Sequence, residues 1–213
     1  MAQTNIRVLA LDLDGTLTND KKIVTPRTRA ALDAAAAQGV TIVLASGRPT
    51  AGITPLAREL GLDKKGGCVL AYNGGKIVDC VTGGTLYQVQ LPAEYVPQLC
   101  AFAAEQDVAI LTYNTEGIVC ERDRDEWANK ECFTTKLPMI HVDDLASYVD
   151  YPVCKMLITL DPARRDEVCA AGRKRFAGEL DLYPSSPFFI ETVPLGVAKD
   201  GSLAALLERM GLT

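Results

Sequence analysis

Two aspartates, Asp12 and Asp14, stand one residue apart at the end of the apolar run in Arg7-Val-Leu-Ala-Leu-Asp-Leu-Asp-Gly-Thr16. Residues i and i+2 of an extended chain project to the same side, so the two carboxylates are brought together. Like charges so placed stay ionised only when one takes a proton or a cation bridges them. Magnesium suits that role, because it takes one or two carboxylates and completes its shell with waters and phosphate oxygens. With a metal in place, one carboxylate can attack phosphorus while the other shuttles a proton to the leaving oxygen. Gly15 permits a tight turn out of the strand. On this motif alone, turn-favouring aspartates in an ordinary loop are the alternative.

A second stretch, Ala45-Ser-Gly-Arg-Pro-Thr50, offers the Ser46 hydroxyl and the close backbone N–H of Gly47 just before a predicted helix. A helix N-terminus favours an anion, although Ser46 or Gly47 could equally serve as the helix cap. Lys199 opens the last predicted helix, where the helix dipole disfavours a cation by a few tenths of a kcal/mol. That placement suggests a task, against the default of a solvated surface lysine. Other motifs are excluded. Asp12-Leu-Asp-Gly15 puts glycine in the wrong place for a calcium loop, and Ile23 stands where a bidentate Glu is needed. Gly61-Leu-Asp-Lys-Lys-Gly-Gly67 lacks the Lys-Ser/Thr ending of a P-loop, and no G-x-S-x-G elbow exists. The sole histidine, His141, reads as a surface or packing residue.

The elements that must position these groups follow from hydrophobic pattern. Residues 6–11, 40–45 and 68–71 read as short apolar strands. Between them lie helices over 27–38, capped by Thr25-Pro26 and stopped by Gly39, and over 49–60, closed by Gly61. This alternation predicts an α/β fold, a Rossmann-like doubly wound parallel sheet. Ligands bind such sheets at the carboxyl ends of the strands, here Asp12, Ser46 and Asn73. After Asn73 the pattern changes. A hairpin (76–80, 85–89) precedes a helix at 93–105, strands at 108–113 and 117–120, and a helical stretch at 124–131. A strand at 153–160 and a helix at 162–177 follow, and a strand at 188–192 is expected to return to the first domain. The helix at 199–210 should bury Leu203, Leu206, Leu207 and Met210 on one face. The expected domains are a core from residues 1–80 and 186–213, with an inserted α+β domain at 81–185.

The chain has 213 residues, 48% of them hydrophobic, so it can bury a sizeable core. Its net charge of −5 repels phosphate backbones, which argues against nucleic acid as a partner. The seven cysteines are odd in number and form no C-x-x-C, which favours free thiols in a reducing compartment over disulfides or a zinc site. Arg7 and Asp12 interrupt any signal-peptide core, and no apolar stretch reaches the roughly 18 residues of a membrane span. A cytoplasmic protein without membrane partners is expected.

The strand with D-L-D-G-T, the later S-G-R-P, the Ala71-Tyr-Asn-Gly-Gly75 turn and Gly196-Val-Ala-Lys199 together resemble the haloacid dehalogenase superfamily, most closely its Cof-type phosphatases. The likeness covers essentially the whole chain, with the insert as a C2-type cap. It implies Asp12 as the nucleophile that forms an aspartyl-phosphate, and Asp14 as the general acid and then the base for water. It further implies Ser46 and Lys199 on the phosphoryl oxygens, and Mg2+ held by Asp12 and the backbone carbonyl of Asp14. Gly47, Arg48 and Asn73 fall at substrate-side positions. The implied function is magnesium-dependent hydrolysis of small phosphorylated metabolites, sugar phosphates foremost. The alternatives are a sugar phosphomutase or phosphotransferase, and a catalytically incomplete phosphate-binding fragment. The insert, as a lid, would select the substrate, with Tyr113, Asn114, Arg122, Trp127 and Lys155 as its candidate contacts.

Two departures from the family pattern stand out. Asp200 follows Lys199 where a small residue is usual, and a late acidic G-D-x-x-N-D loop is absent. The expectation is therefore a C-terminally shortened chain that lacks one metal ligand. Its strand at 6–11 would form an open edge prone to self-association.

Overall fold

The computed structural model describes residues 6–212. The expected core also includes residues 1–5 and 213, which lie outside the described residues. The chain forms two compact units, one from the residues up to Gln88 together with Ala198 onward, the other from Val89–Val197.

The first unit is built on strands β1 (Val8–Asp12), β2 (Thr41–Ala45) and β3 (Cys68–Ala71), parallel and in that order. A hairpin, β4 (Lys76–Asp79) and β5 (Thr85–Gln88), extends the sheet with antiparallel pairing. The helices α1 (Pro26–Ala37), α2 (Thr50–Glu59) and α3 (Leu62–Lys65) connect the parallel strands. β2 from Ile42 onward and all of β3 are apolar and buried, because both faces of the sheet are covered there. Ile42, Leu44 and Val69 pack with Leu32, Ile53, Ala57 and Leu62 of these helices. The alternate residues Val43, Ala45, Cys68 and Leu70 pack with Leu206 of the final helix. Thr25 caps α1 through its hydroxyl, which accepts from the Thr28 N–H at 3.2 Å, and Pro26 fills the first position, where a missing N–H does no harm.

The second unit carries β6 (Ala109–Tyr113), β7 (Ile118–Cys120), β8 (Met139–His141), β9 (Met156–Thr159), β10 (Leu180–Ser186) and β11 (Phe189–Pro194). They lie in the order β10-β11-β9-β6-β7-β8. α4 (Tyr95–Glu105), α6 (Leu145–Tyr148) and α7 (Arg165–Arg175) share a hydrophobic cluster with these strands. α5 (Glu126–Thr135) is tied to β6 by the Tyr113 hydroxyl, which donates to Glu131 at 2.8 Å. The sequence pattern missed α3, α6, β8 and β10, of which all but β10 are only three or four residues long.

Two expected boundaries shift. The hairpin through residue 88 stays with the core sheet because β5 completes a ladder with β4. The strand near 188–192 does not return to the first unit. It is β11, hydrogen-bonded to β10 and β9. A local hairpin closes with little loop entropy, whereas a return to the first sheet would not. The final helix, α8 (Lys199–Arg209), buries Leu206 and Ser202, while Met210 is exposed rather than buried as expected. Among the described residues β1 has one sheet neighbour, β2. No helix among them is long and apolar enough to cross a membrane.

Candidate active site

Asp12 is the last residue of β1 and pairs in register with Ala45, so the next residue of the second strand, Ser46, emerges at the same sheet edge. Leu13 is 1% exposed and anchors the chain in the core between the two aspartates. That burial fixes the alternation on which the i, i+2 argument depends. Gly15, at φ 78°, makes the turn out of the strand. It folds the chain back so that the Leu17 N–H donates to the Asp12 carbonyl at 3.1 Å and the Thr18 N–H to the Leu13 carbonyl at 2.9 Å.

Lys199, from the first turn of α8, places Nζ on Oδ1 of Asp12 across 187 positions of sequence. Asp14 is held differently. Arg48 forms a fork on it, Nε to Oδ2 at 3.0 Å and a terminal nitrogen to Oδ1 at 2.6 Å, and Lys22 Nζ shares Oδ1 at 2.6 Å. Burial pushes the Asp14 carboxyl up, but the hydrogen bonds and charges of Arg48 and Lys22 outweigh it and hold the group below the usual carboxylate range. A carboxyl depressed on folding stabilises the fold above its unfolded value and loses that stabilisation as pH falls through its folded value. Replacing Asp14 by Asn should therefore lower stability at neutral pH, leave the most acidic end least affected, and so flatten the acid limb of a stability–pH curve below about pH 4. Chemical denaturation across that range reads the difference.

Ser46 is 3% exposed. Its Oγ accepts the Arg48 N–H at 3.2 Å, so the hydroxyl proton is left to be donated. The loop is tied to the one after β3, because the Asn73 N–H donates to the Ser46 carbonyl at 3.1 Å and the Tyr72 N–H to the Arg48 carbonyl at 3.0 Å. A Cβ on Gly47 would lie 2.7 Å from Asn73 Oδ1, so only glycine lets that amide approach. Asn73 Nδ2 is buried without a hydrogen-bond partner, a donor waiting for an acceptor. Tyr72, Asn73 and Gly74 have φ of 54°, 56° and 105° in succession. Two non-glycine residues in the left-handed region mark a loop held in place by its surroundings. One restraint is Ser202 of α8, whose hydroxyl donates to the Gly74 carbonyl at 2.5 Å.

Asp12, Asp14, Ser46, Gly47, Arg48, Asn73 and Lys199, all expected from sequence, thus line the carboxyl edge of the parallel strands. Sequence reasoning missed Lys22. Nothing in the pattern Asp20-Lys-Lys-Ile23 marks it, and only its left-handed backbone, φ 59°, and its contact reveal it. The insert candidates have structural partners within their own unit. Lys155 is 2% exposed and ion-paired to Glu191 at 2.7 Å, Trp127 stacks on Phe188, and Arg122 pairs with Asp107 at 2.9 Å.

The donor set fits magnesium in type. The Asp12 and Asp14 carboxylates are hard oxygen donors, although among the described residues no group of three or more His, Cys, Asp or Glu side chains that could hold a metal ion gathers. Both carboxylate oxygens of Asp14 are engaged by cations, whereas Lys199 takes only Oδ1 of Asp12. An ion would thus meet Asp12 by its second oxygen.

Carboxylates met by lysine and arginine at the carboxyl ends of parallel strands are the equipment of an α/β phosphoryl-transfer hydrolase. The chain belongs to the haloacid dehalogenase-like hydrolases, a family that matches residues 9–213. Within it, this is a Cof-type phosphatase. A haloacid dehalogenase-like hydrolase from Bacteroides thetaiotaomicron superposes with a TM-score of 0.93 at 40% identity, over 98% of this chain and 78% of that one. YxeH of Bacillus subtilis, named as a candidate phosphatase, is 28% identical over 97% of this chain and 77% of its own length. The HMP-PP phosphatase of Serratia proteamaculans is 26% identical over 97% of this chain and 73% of its own length.

Proposed function

We propose that the protein hydrolyses small phosphorylated metabolites, with sugar phosphates the leading class, through an aspartyl-phosphate on Asp12. The observation that carries this is the convergence of Lys199 on Asp12 beside Asp14 and the buried Ser46. Asp12 attacks phosphorus as the bond to the leaving oxygen breaks, and Asp14 gives that oxygen its proton. Asp14, now a carboxylate, takes a proton from water as the water attacks the aspartyl-phosphate. Phosphate leaves and Asp12 is regenerated. Lys199, the Ser46 hydroxyl and the Asn73 amide bind the phosphoryl oxygens, which gather charge in the transition state. Arg48 and Lys22 hold the Asp14 carboxyl below the usual carboxylate range. An incoming anion competes for these cations, and Asp14 then rises toward protonation for the acid step.

Magnesium, when bound, supplies charge neutralisation for the attacking carboxylate and the phosphoryl oxygens. Asp12 and the Asp14 backbone carbonyl would hold it. A relative named as an HMP-PP phosphatase makes HMP-PP a second substrate to include in the test. A cytoplasmic location accords with seven free cysteines. A panel of phosphometabolites, assayed with magnesium and again after chelation, tests the reading. Chelation should lower turnover at least about a hundredfold, in keeping with several kcal/mol of Lewis-acid stabilisation. Transfer to added sugar in preference to water would favour the mutase. Phosphate binding without turnover would favour a binding protein.

A further inference from the structure

Lys22 is presented by a tight loop between the buried Leu17 and Val24. Asn19 Oδ1 accepts the N–H groups of Lys21 at 3.0 Å and Ile23 at 3.1 Å, and the Lys22 N–H donates to the Asn19 carbonyl at 2.8 Å. The Asn19 N–H in turn donates to the Ile23 carbonyl at 3.1 Å. At the apex Lys22 has φ 59°, a left-handed conformation that disfavours any non-glycine residue. Asn or Gly would suit the turn better, so the lysine side chain is what the position offers.

That side chain goes to a carboxylate already satisfied. Arg48 alone covers both oxygens of Asp14, and its side chain is 11% exposed. Lys22, 30% exposed, adds a second cation to Oδ1 from the solvent side. Around the two carboxylates stand three cationic side chains, Lys22, Arg48 and Lys199. The excess is positive before any metal, which only adds to it. Lys199 lies against Asp12, where the phosphoryl group is transferred. Lys22 and Arg48 lie against Asp14, whose partner is the leaving oxygen.

We propose that Lys22, together with Arg48, binds a second anionic group carried on the leaving alcohol. This rests on the phosphatase reading and narrows its substrate class to phosphoesters whose alcohol bears a carboxylate or a further phosphate near the ester. A neutral alcohol leaves Lys22 with Asp14 alone. An anionic one receives charge-assisted hydrogen bonds from an ammonium and a guanidinium that are already in place.

Glycerol phosphate and phosphoglycerate differ by one carboxylate and provide the test. Calorimetry on the full chain with magnesium should give an affinity ratio of about ten in favour of phosphoglycerate, the scale of one hydrogen bond to a charged group. In Lys22→Ala the ratio should fall to about one, and Lys22→Arg should restore most of it. Lys22→Gln replaces the alanine variant if that one does not fold. A ratio near one in the unmodified chain, or an unchanged ratio in Lys22→Ala, overturns the inference. Because binding is read apart from turnover, a chain that discriminates by affinity yet hydrolyses neither compound counts against the phosphatase reading and not against this one.

Discussion

The Asp12→Asn chain should hydrolyse phosphomonoesters at least about three orders of magnitude more slowly than the unmodified chain, with its fold intact. The amide is nearly isosteric with the carboxylate, so the β1 terminus and its register with Ala45 persist. What is lost is the carboxylate proposed as the nucleophile. An amide oxygen does not displace an alkoxide from phosphorus at neutral pH, and removal of a covalent catalyst leaves only binding and electrostatic contributions. The charge that pairs with Lys199 and would hold the metal goes as well. Asp12 and Lys199 side chains are each more than a third exposed, at 42% and 39%, so loss of their ion pair should move the unfolding temperature little. Steady-state assay with matched thermal unfolding separates the two effects. Turnover retained in Asp12→Asn would move the nucleophile elsewhere.

The second large effect is expected at a residue with no chemistry of its own. Gly74 follows Asn73 in the turn after β3, at φ 105°. A Cβ there would stand 2.4 Å from the Ala198 carbonyl oxygen and 2.6 Å from Ser202 Oγ. Ala198 immediately precedes α8, so this close approach sets where that helix begins and hence where Lys199 projects. In Gly74→Val the backbone cannot yield as a flexible side chain would. The helix start must retreat, or the turn must unwind. Overpacking against backbone together with a strained φ should cost about 2–4 kcal/mol. For a unit of this size that lowers the unfolding temperature by roughly ten degrees or more. Turnover by the fraction that stays folded should fall as well, because Lys199 is displaced from Asp12. A Gly74→Val chain with normal stability and turnover would show that the α8 position is not set by this contact.

These two variants divide the site by how its parts are specified. Asp12 and Asp14 were legible in sequence because strand alternation is a local rule. With Leu13 as the core residue between them, both carboxylates must reach the same edge. The parallel strands and their helices were legible for similar reasons, since an N-cap threonine, a proline at the first position and glycines past helix ends act within a few residues. Membership of a sheet is not local. The apolar strand β11 could have paired in either unit, and its neighbours β10 and β9 decided the matter.

By itself, then, the sequence determined the kind of chemistry and the edge of the sheet at which it stands. Tertiary structure decided which cation meets which carboxylate. Lysine and arginine side chains are long and flexible, and their partners are chosen by the fields and close approaches of the folded chain, not by spacing. Lys199 reaches Asp12 only because Gly74 lets α8 begin where it does. Arg48, two residues past the end of β2, turns to Asp14, and Lys22 joins it from a loop that no periodicity marks.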